Sequence, residues 1–555
     1  MFIGRDVPPV FILGINAMKK TVVAAGIIVA LGVVWTAGAW YTGKQFEKRI
    51  ATVVQQANEQ LKRTAPEANV ELSYANYQRG LFTSHLDLVI KPVNGATSPW
   101  LKNGQSVVFN ERVDHGPFPL AQLKKFNLIP SMASVKTTLA NNEASKPVYD
   151  IAKGETPFEA NTRIGYSGDS HSDISLKPLN YEKDGEKVAF SGGDFQLDAD
   201  REGNVFSLTG DAESGMVDAV NEYNQRVKMT FNKLKTEGES KLTSFDERIG
   251  NQKLSVEKLA ISVEGKELAV LDGMNIVGKS ELGKDGKTID SQIDYTLDSL
   301  KLQNQDMGNG KLTVKIGQID GQAWHQFSQQ YNAQSRALMA QPEVVQNPQL
   351  YQQKMTEAFF GALPILLKGE PVITIAPLSW KNSKGETTFN LSLFLKDPGQ
   401  ATEPAQTLEQ EVDRSVKSLD TKLVIPTDMA TEFMTQIARL EGYQNEEATK
   451  LANQQVKGLA AMGQMFRITT MEDNNITTSL QYSNGQVTLN GQKMPLTDFV
   501  GMFGMPDLGI PAPQSVNPAA PAEPATPAVP AIPATPADPA APVTPVPPAA
   551  PAPQQ

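Results

Sequence analysis

Gly273-Met274-Asn275-Ile276-Val277-Gly278-Lys279-Ser280 matches G-x-x-x-x-G-K-[ST], the pattern whose backbone amides wrap a phosphate where a strand passes into a helix. Its flanks do not suit that chemistry. Leu268-Ala269-Val270-Leu271 precedes it as a strand would, but Glu281-Leu282-Gly283-Lys284-Asp285-Gly286 follows as a hairpin turn, so the segment reads as strand. Gly165-Tyr166-Ser167-Gly168-Asp169-Ser170 beside His171 offers a hydroxyl and an imidazole. It lacks the G-x-S-x-G spacing of a nucleophile elbow and reads as a polar loop. His85, His115, His171 and His325 are never at zinc-ligand spacing, and H-E-x-x-H is absent. With no cysteine there is no thiolate nucleophile, disulfide or cysteine-ligated zinc. Glu409-Gln410-Glu411-Val412-Asp413 reads as a solvated acidic face rather than a hydrolytic carboxylate pair. The expectation is a non-enzymatic protein with no catalytic, cofactor-binding or metal-binding residues.

The chain has 555 residues and a net charge of −10, which argues against a nucleic-acid partner. From Thr21 to Tyr41 there are 21 residues without a charge. As a helix at ~1.5 Å per residue this run crosses the ~30 Å hydrocarbon core of a bilayer. Lys19 and Lys20 precede it, and Trp35, Trp40 and Tyr41 stand at its far end, where aromatic rings favour the headgroup region. Residues 18–44 therefore read as a signal anchor in the inner membrane, with the bulk of the chain in the periplasm. Ala37-Gly38-Ala39 also fits a cleavage site, so a cleaved signal peptide is the alternative. Gly26 and Ala30 form a small-xxx-small pair that permits close helix packing and a homo-oligomer. Residues 1–17 read as an extension upstream of the start at Met18.

Residues 45–66 form a helical stem with Phe46, Ile50, Val53, Val54, Ala57 and Leu61 on one face. Two β-rich stretches follow. In the first, 67–318, short alternating segments such as 161–167 and 186–198 are punctuated by Asp184-Gly185 and Glu202-Gly203 turns. The second, 319–505, carries helices at about 320–341, 347–368, 427–441 and 444–463. It ends in a hairpin turning at Asn484-Gly485 and a short helix near Phe503. Residues 174–190 (ISLKPLNYEKDGEKVAF) resemble 373–389 (ITIAPLSWKNSKGETTF), a weak internal repeat. In 506–555 proline and alanine dominate, which reads as a disordered tail. The fold class is α+β: one N-terminal transmembrane helix, then an elongated, mainly antiparallel β-meander with inserted helical hairpins. Two segments are apolar all round, one with Phe359, Phe360, Leu363 and Leu366, the other with Phe499 and Phe503. Such helices usually lie in a core; the other readings are a dimer interface or one wall of a lipid-holding groove.

Tyr74-x-x-Tyr77-x-Arg79-Gly80-Leu81-Phe82-x-Ser84, followed by Val113-Asp114-His115-Gly116-Pro117, resembles the bacterial YdgA family of uncharacterised envelope proteins. The resemblance runs from Met18 to about Met505. It implies an inner-membrane protein with a periplasmic body, no catalytic residues, and a structural place for His115 in a tight turn. The N-terminal extension and the Pro/Ala tail depart from the family pattern. The leading expectation is a binding or scaffold protein of the envelope, with a second copy, a lipid or an envelope protein as partner. A lipid or amphiphile carrier with an apolar groove is the alternative, and a hydrolase with an unrecognised site a third.

Overall fold

The computed structural model describes residues 12–502, apart from 65–67, 94–97, 99–100, 184, 222–223, 340, 346 and 401–406; side chains are described from Trp35 onward, except for a few beside these gaps. The chain opens with helix α1 (Ile12–Thr64). Strands β1 (Val70–Arg79), β2 (Thr83–Pro92) and β3 (Val107–His115) follow. Short helix α2 (Leu120–Lys124) leads to β4 (Ala133–Leu139), and α3 (Lys146–Ile151) to β5 (Phe158–Ile164) and β6 (Ser170–Leu176). The hairpin β7 (Leu179–Lys183) and β8 (Glu186–Phe190) precedes β9 (Gly193–Ala199). Then come six long strands: β10 (Val205–Val220), β11 (Arg226–Leu242), β12 (Arg248–Val263), β13 (Lys266–Leu282), β14 (Thr288–Leu302) and β15 (Gln305–Asp320).

Helices α4 (Gly321–Met339), α5 (Pro342–Val345) and α6 (Pro348–Leu366) are inserted before β16 (Val372–Asn382) and β17 (Gly385–Leu395). Helix α7 (Leu408–Ser415) runs into β18 (Val416–Pro426), and the helical pair α8 (Thr427–Leu440) and α9 (Asn445–Met465) follows. The described chain closes with β19 (Thr470–Glu472), β20 (Asn475–Ser483), β21 (Gln486–Leu489), β22 (Gln492–Pro495) and α10 (Leu496–Gly501).

Among the described residues, the 22 strands form one antiparallel sheet. Successive strands pair from β1 to β6, then β6 pairs β9, and the meander continues from β9 to β18, β20, β21 and β22. Because β15 pairs directly with β16, the helical insertion is a detour of the chain rather than a break in the sheet.

The expected strand at 186–198 is two strands. Gly192, at φ +87°, separates β8 from β9, and each covers a different half of β10. The expected strand at 161–167 begins earlier, at Phe158, and stops at Ile164, where Gly165–Asp169 turns the chain. β11 lay outside the expected strand segments: from Lys233 to Leu242 it alternates charged and uncharged residues but has few apolar ones, and it pairs along its length with both neighbours. The phosphate-loop look-alike lies within β13. The acidic segment at 409–413 belongs to α7, where the Thr407 hydroxyl accepts a bond from the Gln410 amide at 3.2 Å. The two copies of the internal repeat share a hairpin pair, Leu179 opposite Phe190 and Leu378 opposite Phe389.

Aromatic rings lie over glycines across the sheet: Phe195 opposite Gly210, Phe231 opposite Gly215, Trp380 opposite Gly310. The Trp380 indole is also held by a 2.7 Å bond donated to the Met307 carbonyl, so it cannot swing aside. A Cβ at residue 310 would lie 2.6 Å from the ring. Gly310→Val is therefore expected to destabilise the protein by about 2 kcal/mol, read by urea unfolding followed through tryptophan fluorescence. An unchanged midpoint would mean that Trp380 does not lie over Gly310.

Candidate functional site

Directly paired residues share a face of a sheet, so side chains can be followed across it pair by pair. One row starts at Leu86, opposite Glu111, and passes Thr137, Ala160 and Ile174 to Phe195. From Phe195 it crosses Gly210, Thr236, Leu254 and Ile276 to Tyr295. It ends through Leu312, Leu378, Phe389 and Leu423. The neighbouring row on the same face contains Val113, Val135, Leu197, Leu208, Ile293, Val314 and Leu391. The row on the opposite face reads Lys136, Asn161, Asp173, Gln196, Thr209, Glu237 and Lys253. Along these rows the sheet is mainly apolar on one side, with Thr236 and Gln252 as uncharged exceptions, and polar or charged on the other. A shallow depression of about 400 Å³ between Asp194, Asp211, Lys235 and Lys253 lies on the charged side.

Helices roof the apolar face at its two ends. Over β1–β5, Phe46, Ile50 and Val54 of α1 pack on Leu86, Val113 and Ala133. At the far end, Val412 of α7 and Leu496, Phe499 and Val500 of α10 pack on Leu419, Tyr482 and Val487, while Met429 of α8 meets Thr387. Between these roofs no described helix packs extensively on β10–β14; α4 reaches one margin, where Trp324 packs on the Ile289–Ile319 cluster and His325 meets Glu247. Of the described residues in β10–β15, only Ala212, Val270, Ile289, Met307 and Ile319 are buried apolar ones. Leu254, Ile293, Tyr295 and Leu378 are 38%, 39%, 40% and 42% exposed on the apolar side. From β9 to β15 the open stretch spans roughly 29 Å, six inter-strand spacings of ~4.8 Å.

The motif Tyr74–Ser84 with Val113–Pro117 builds the socket for α1. Trp35 stacks on Phe82 at 4.9 Å and donates to the Phe118 carbonyl at 3.0 Å. The Thr42 hydroxyl donates to the Gly116 carbonyl at 3.0 Å, Phe46 stacks on Tyr77, and Glu47 pairs with Arg79 at 3.5 Å. The Asn58 side-chain amide bonds both backbone groups of Leu72 on edge strand β1, each at 2.7 Å. Gly43 sits against the His115 ring, where a Cβ would lie 2.5 Å from the imidazole. His115 Nδ1 is 3.2 Å from the Leu81 carbonyl, which can only accept, so Nδ1 carries the proton and Nε2 accepts from Ser84 Oγ at 2.8 Å. Burial holds the His115 pKa below its ordinary value.

A serine donating to a neutral imidazole is nucleophile–base geometry. Sequence reading missed this pair because its partners are 31 residues apart with no catalytic motif around them. Here it is sealed beneath α1: Ser84 is 0% and His115 2% exposed. Glu111, also buried on the apolar face, accepts one bond from the Thr137 hydroxyl at 2.7 Å. Burial raises its pKa from 4.5 to about 7, partly offset by that bond.

Of the sequence candidates, Trp35 sits in the socket, and Trp40 and Tyr41 are exposed. The stem face holds except for Val53, which points outward. Gly26, Ala30 and Phe503 lie outside the described side chains, as does Thr21–Val34 of the apolar run. Among the described residues, no helix is long and apolar enough to cross a membrane, and no cluster of His, Asp and Glu is arranged to hold a metal. Phe359 packs edge-on against Phe327 and Tyr331 of α4, and Leu363 and Leu366 are half-buried. Phe360 is 61% exposed, so α6 is not the core helix its sequence suggested: it packs mainly on α4, with α5 beside it, instead of being enclosed. Phe499 is half-buried in the α10 cluster. Sequence reading also missed an exposed patch on α9, formed by Leu459, Met462, Met465 and Phe466.

The chain belongs to the family described as "Bacterial protein of unknown function (DUF945)", whose model matches residues 18–497. It is similar to Protein YdgA of Escherichia coli (strain K12), 72% identical over 495 residues covering 89% of this chain and 99% of that protein. It is also similar to the uncharacterized protein YihF of the same organism, 31% identical over 482 residues, 87% of this chain and 98% of that protein. An uncharacterized protein of Haemophilus influenzae is 30% identical over 190 residues, 34% of this chain and 50% of that protein. The YdgA resemblance read from the Tyr74–Ser84 and Val113–Pro117 segments thus extends over most of the chain. No solved structure matches it.

Two outcomes follow from the socket. Gly43→Leu is expected to cost about 3 kcal/mol and to open trypsin cleavage at Lys44, Lys48 and Arg49; resistance equal to wild type would show that α1 does not depend on the His115 contact. Glu111 binds its proton more tightly in the folded state. Its contribution is therefore best below pH 4.5, falls as pH rises to about 7, and the full loss, roughly 3 kcal/mol, persists above that. Subtracting the stability profile of Glu111→Gln from that of wild type isolates this slope. A flat difference between pH 4 and 8 would refute a buried Glu111.

Proposed function

We propose that this protein is a non-enzymatic envelope protein that binds the acyl chains of a lipid or similar amphiphile along the open stretch of its apolar face. One observation carries the reading: the face is continuous from the α1 roof to the α7–α10 roof, yet unroofed over β10–β14. A sheet with one apolar side needs a second layer, and acyl chains supply it without any charged or hydrogen-bonding partner. Covering Leu254, Ile293, Tyr295 and Leu378 is worth roughly 1 kcal/mol each, since each is already more than half buried. The apolar run from Thr21 anchors the chain in the inner membrane, with the body on the periplasmic side. Because α1 passes directly into its socket, this anchor holds the sheet close to a source of lipid.

The α9 patch favours a second reading, a scaffold for another envelope protein. Its flexible methionines and one aromatic ring suit an apolar protein surface.

Photo-crosslinking in intact cells from Leu254, Ile293 and Met465 separates these readings. Lipid adducts from Leu254 and Ile293 are expected, and Ile293→Lys is expected to lower the lipid retained in mild detergent about tenfold, a change of ~1.4 kcal/mol. Adducts from Leu254 and Ile293 confined to the chain itself, or to a second copy, would overturn the lipid reading. A distinct protein caught from Met465 alone would favour the scaffold.

A further inference from the structure

Glu111 is 6% exposed and stands on the apolar face beside Leu86, under the α1 roof. Its only described hydrogen bond is the one Oε2 accepts from Thr137. No described Lys, Arg or His lies within 4 Å of it, although Asp114 and Glu159 on the opposite face both have cationic partners. A carboxylate this buried and this poorly paired is costly, and structures that keep such a group usually complete it with a counter-charge or with further donors. Its cross-strand row leads through Thr137, Ala160 and Ile174 to Phe195, where the open stretch begins. From β3 to β9 along that row is four strand spacings, roughly 19 Å. The bonded hydroxyls of Thr162 and Ser172 lie one row over on the same face, at 2.9 Å. Hydroxyl donors therefore gather around Glu111, and the two rows that continue into β9–β13 are apolar side chains and glycines apart from the uncharged Thr236 and Gln252.

Resting on the amphiphile-binding reading, we propose that Glu111 is the head-group site of the apolar face and that it takes an ammonium-bearing amphiphile. The ammonium sits on the carboxylate as its missing counter-ion, and the alkyl chain runs along the Ala160–Ile174–Phe195 row. An anionic head group would meet a carboxylate with no cation beside it to balance the charge, since the arginine described on this face, Arg248, stacks on Phe206 far along the sheet. A neutral one could only hydrogen-bond the carboxyl group and would leave its ionised form uncompensated. The raised proton affinity of Glu111 is what such a site shows when empty.

The test uses the full chain in mild detergent with three fluorescent probes of one chain length: octadecylamine, octadecanol and octadecanoic acid. The amine is expected to bind about tenfold tighter than the alcohol, and the acid weakest of the three. Glu111→Gln is expected to bring the amine to the level of the alcohol while leaving the alcohol unchanged. Thr137→Val keeps the carboxylate and is expected to keep the amine preference, which guards against misreading a folding defect. Equal binding of all three probes, or an amine preference that survives in Glu111→Gln, overturns the Glu111 assignment and leaves the amphiphile reading intact. Failure of wild type to bind any of the three overturns both. Uptake from phosphatidylethanolamine vesicles but not from phosphatidylglycerol vesicles would make the source a lipid head group; binding of octadecylamine without such uptake would make it a free amine. Either supports the site.

Discussion

Backbone pairing between successive strands decides which side chains stand together, and in this molecule it gathers the apolar ones on a single side. Each register step carries that choice to the next strand, so the segregation at Leu86 and Val113 is still in force at Leu391 and Leu423. The helices answer to it. α1 brings Phe46, Ile50 and Val54 to one margin, and α7 and α10 bring Val412, Leu496 and Phe499 to the other. The long strands between them were given no partner of their own. They hold together through hydrogen-bonded ladders and rings seated on glycines, with one small core at Phe245, Ile289 and Ile319.

The strand-rich character, the four long helices and the hairpin at Asn484-Gly485 were readable from alternation, helical period and turn chemistry. What escaped is instructive. β11 alternates charged and uncharged residues over KLKTEGESKL, but the uncharged positions include Thr236, Gly238 and Ser240, so no apolar stripe marked it; its place comes from the neighbours on both sides, which lie outside any local window. The segment with Phe359 and Phe360 looked like core because apolar content around a helix was taken for burial around it; with α4 on one side, the rest of α6 faces outward. Of the site, only fragments were legible. The alternation marked each strand as one-sided, but the shortage of helices to cover those sides appears only when the strands are assembled. Glu111 carried no local signal either, being one carboxylate among many on an acidic chain.

The segments that pointed to the YdgA family turn out to be a joint. Ser84, His115, Gly116 and Phe82 touch Thr42, Gly43 and Trp35, so the residues that look most chemical are occupied in seating a helix. A hydroxyl aimed at an imidazole is ordinarily read as reactivity. Here the same bond satisfies two groups that no water reaches, which is what a buried joint requires.

Asn58 makes a different kind of contribution. Its amide occupies both backbone groups of Leu72, on the strand where the sheet begins. An open sheet this wide ends in free N–H and C=O groups that invite another chain to add on, the route by which such sheets grow into filaments. A side chain from α1 stands in that place, imitating the missing strand for one residue. The helix that seats the body therefore also occupies one residue of the sheet's β1 edge that would otherwise be open to another strand.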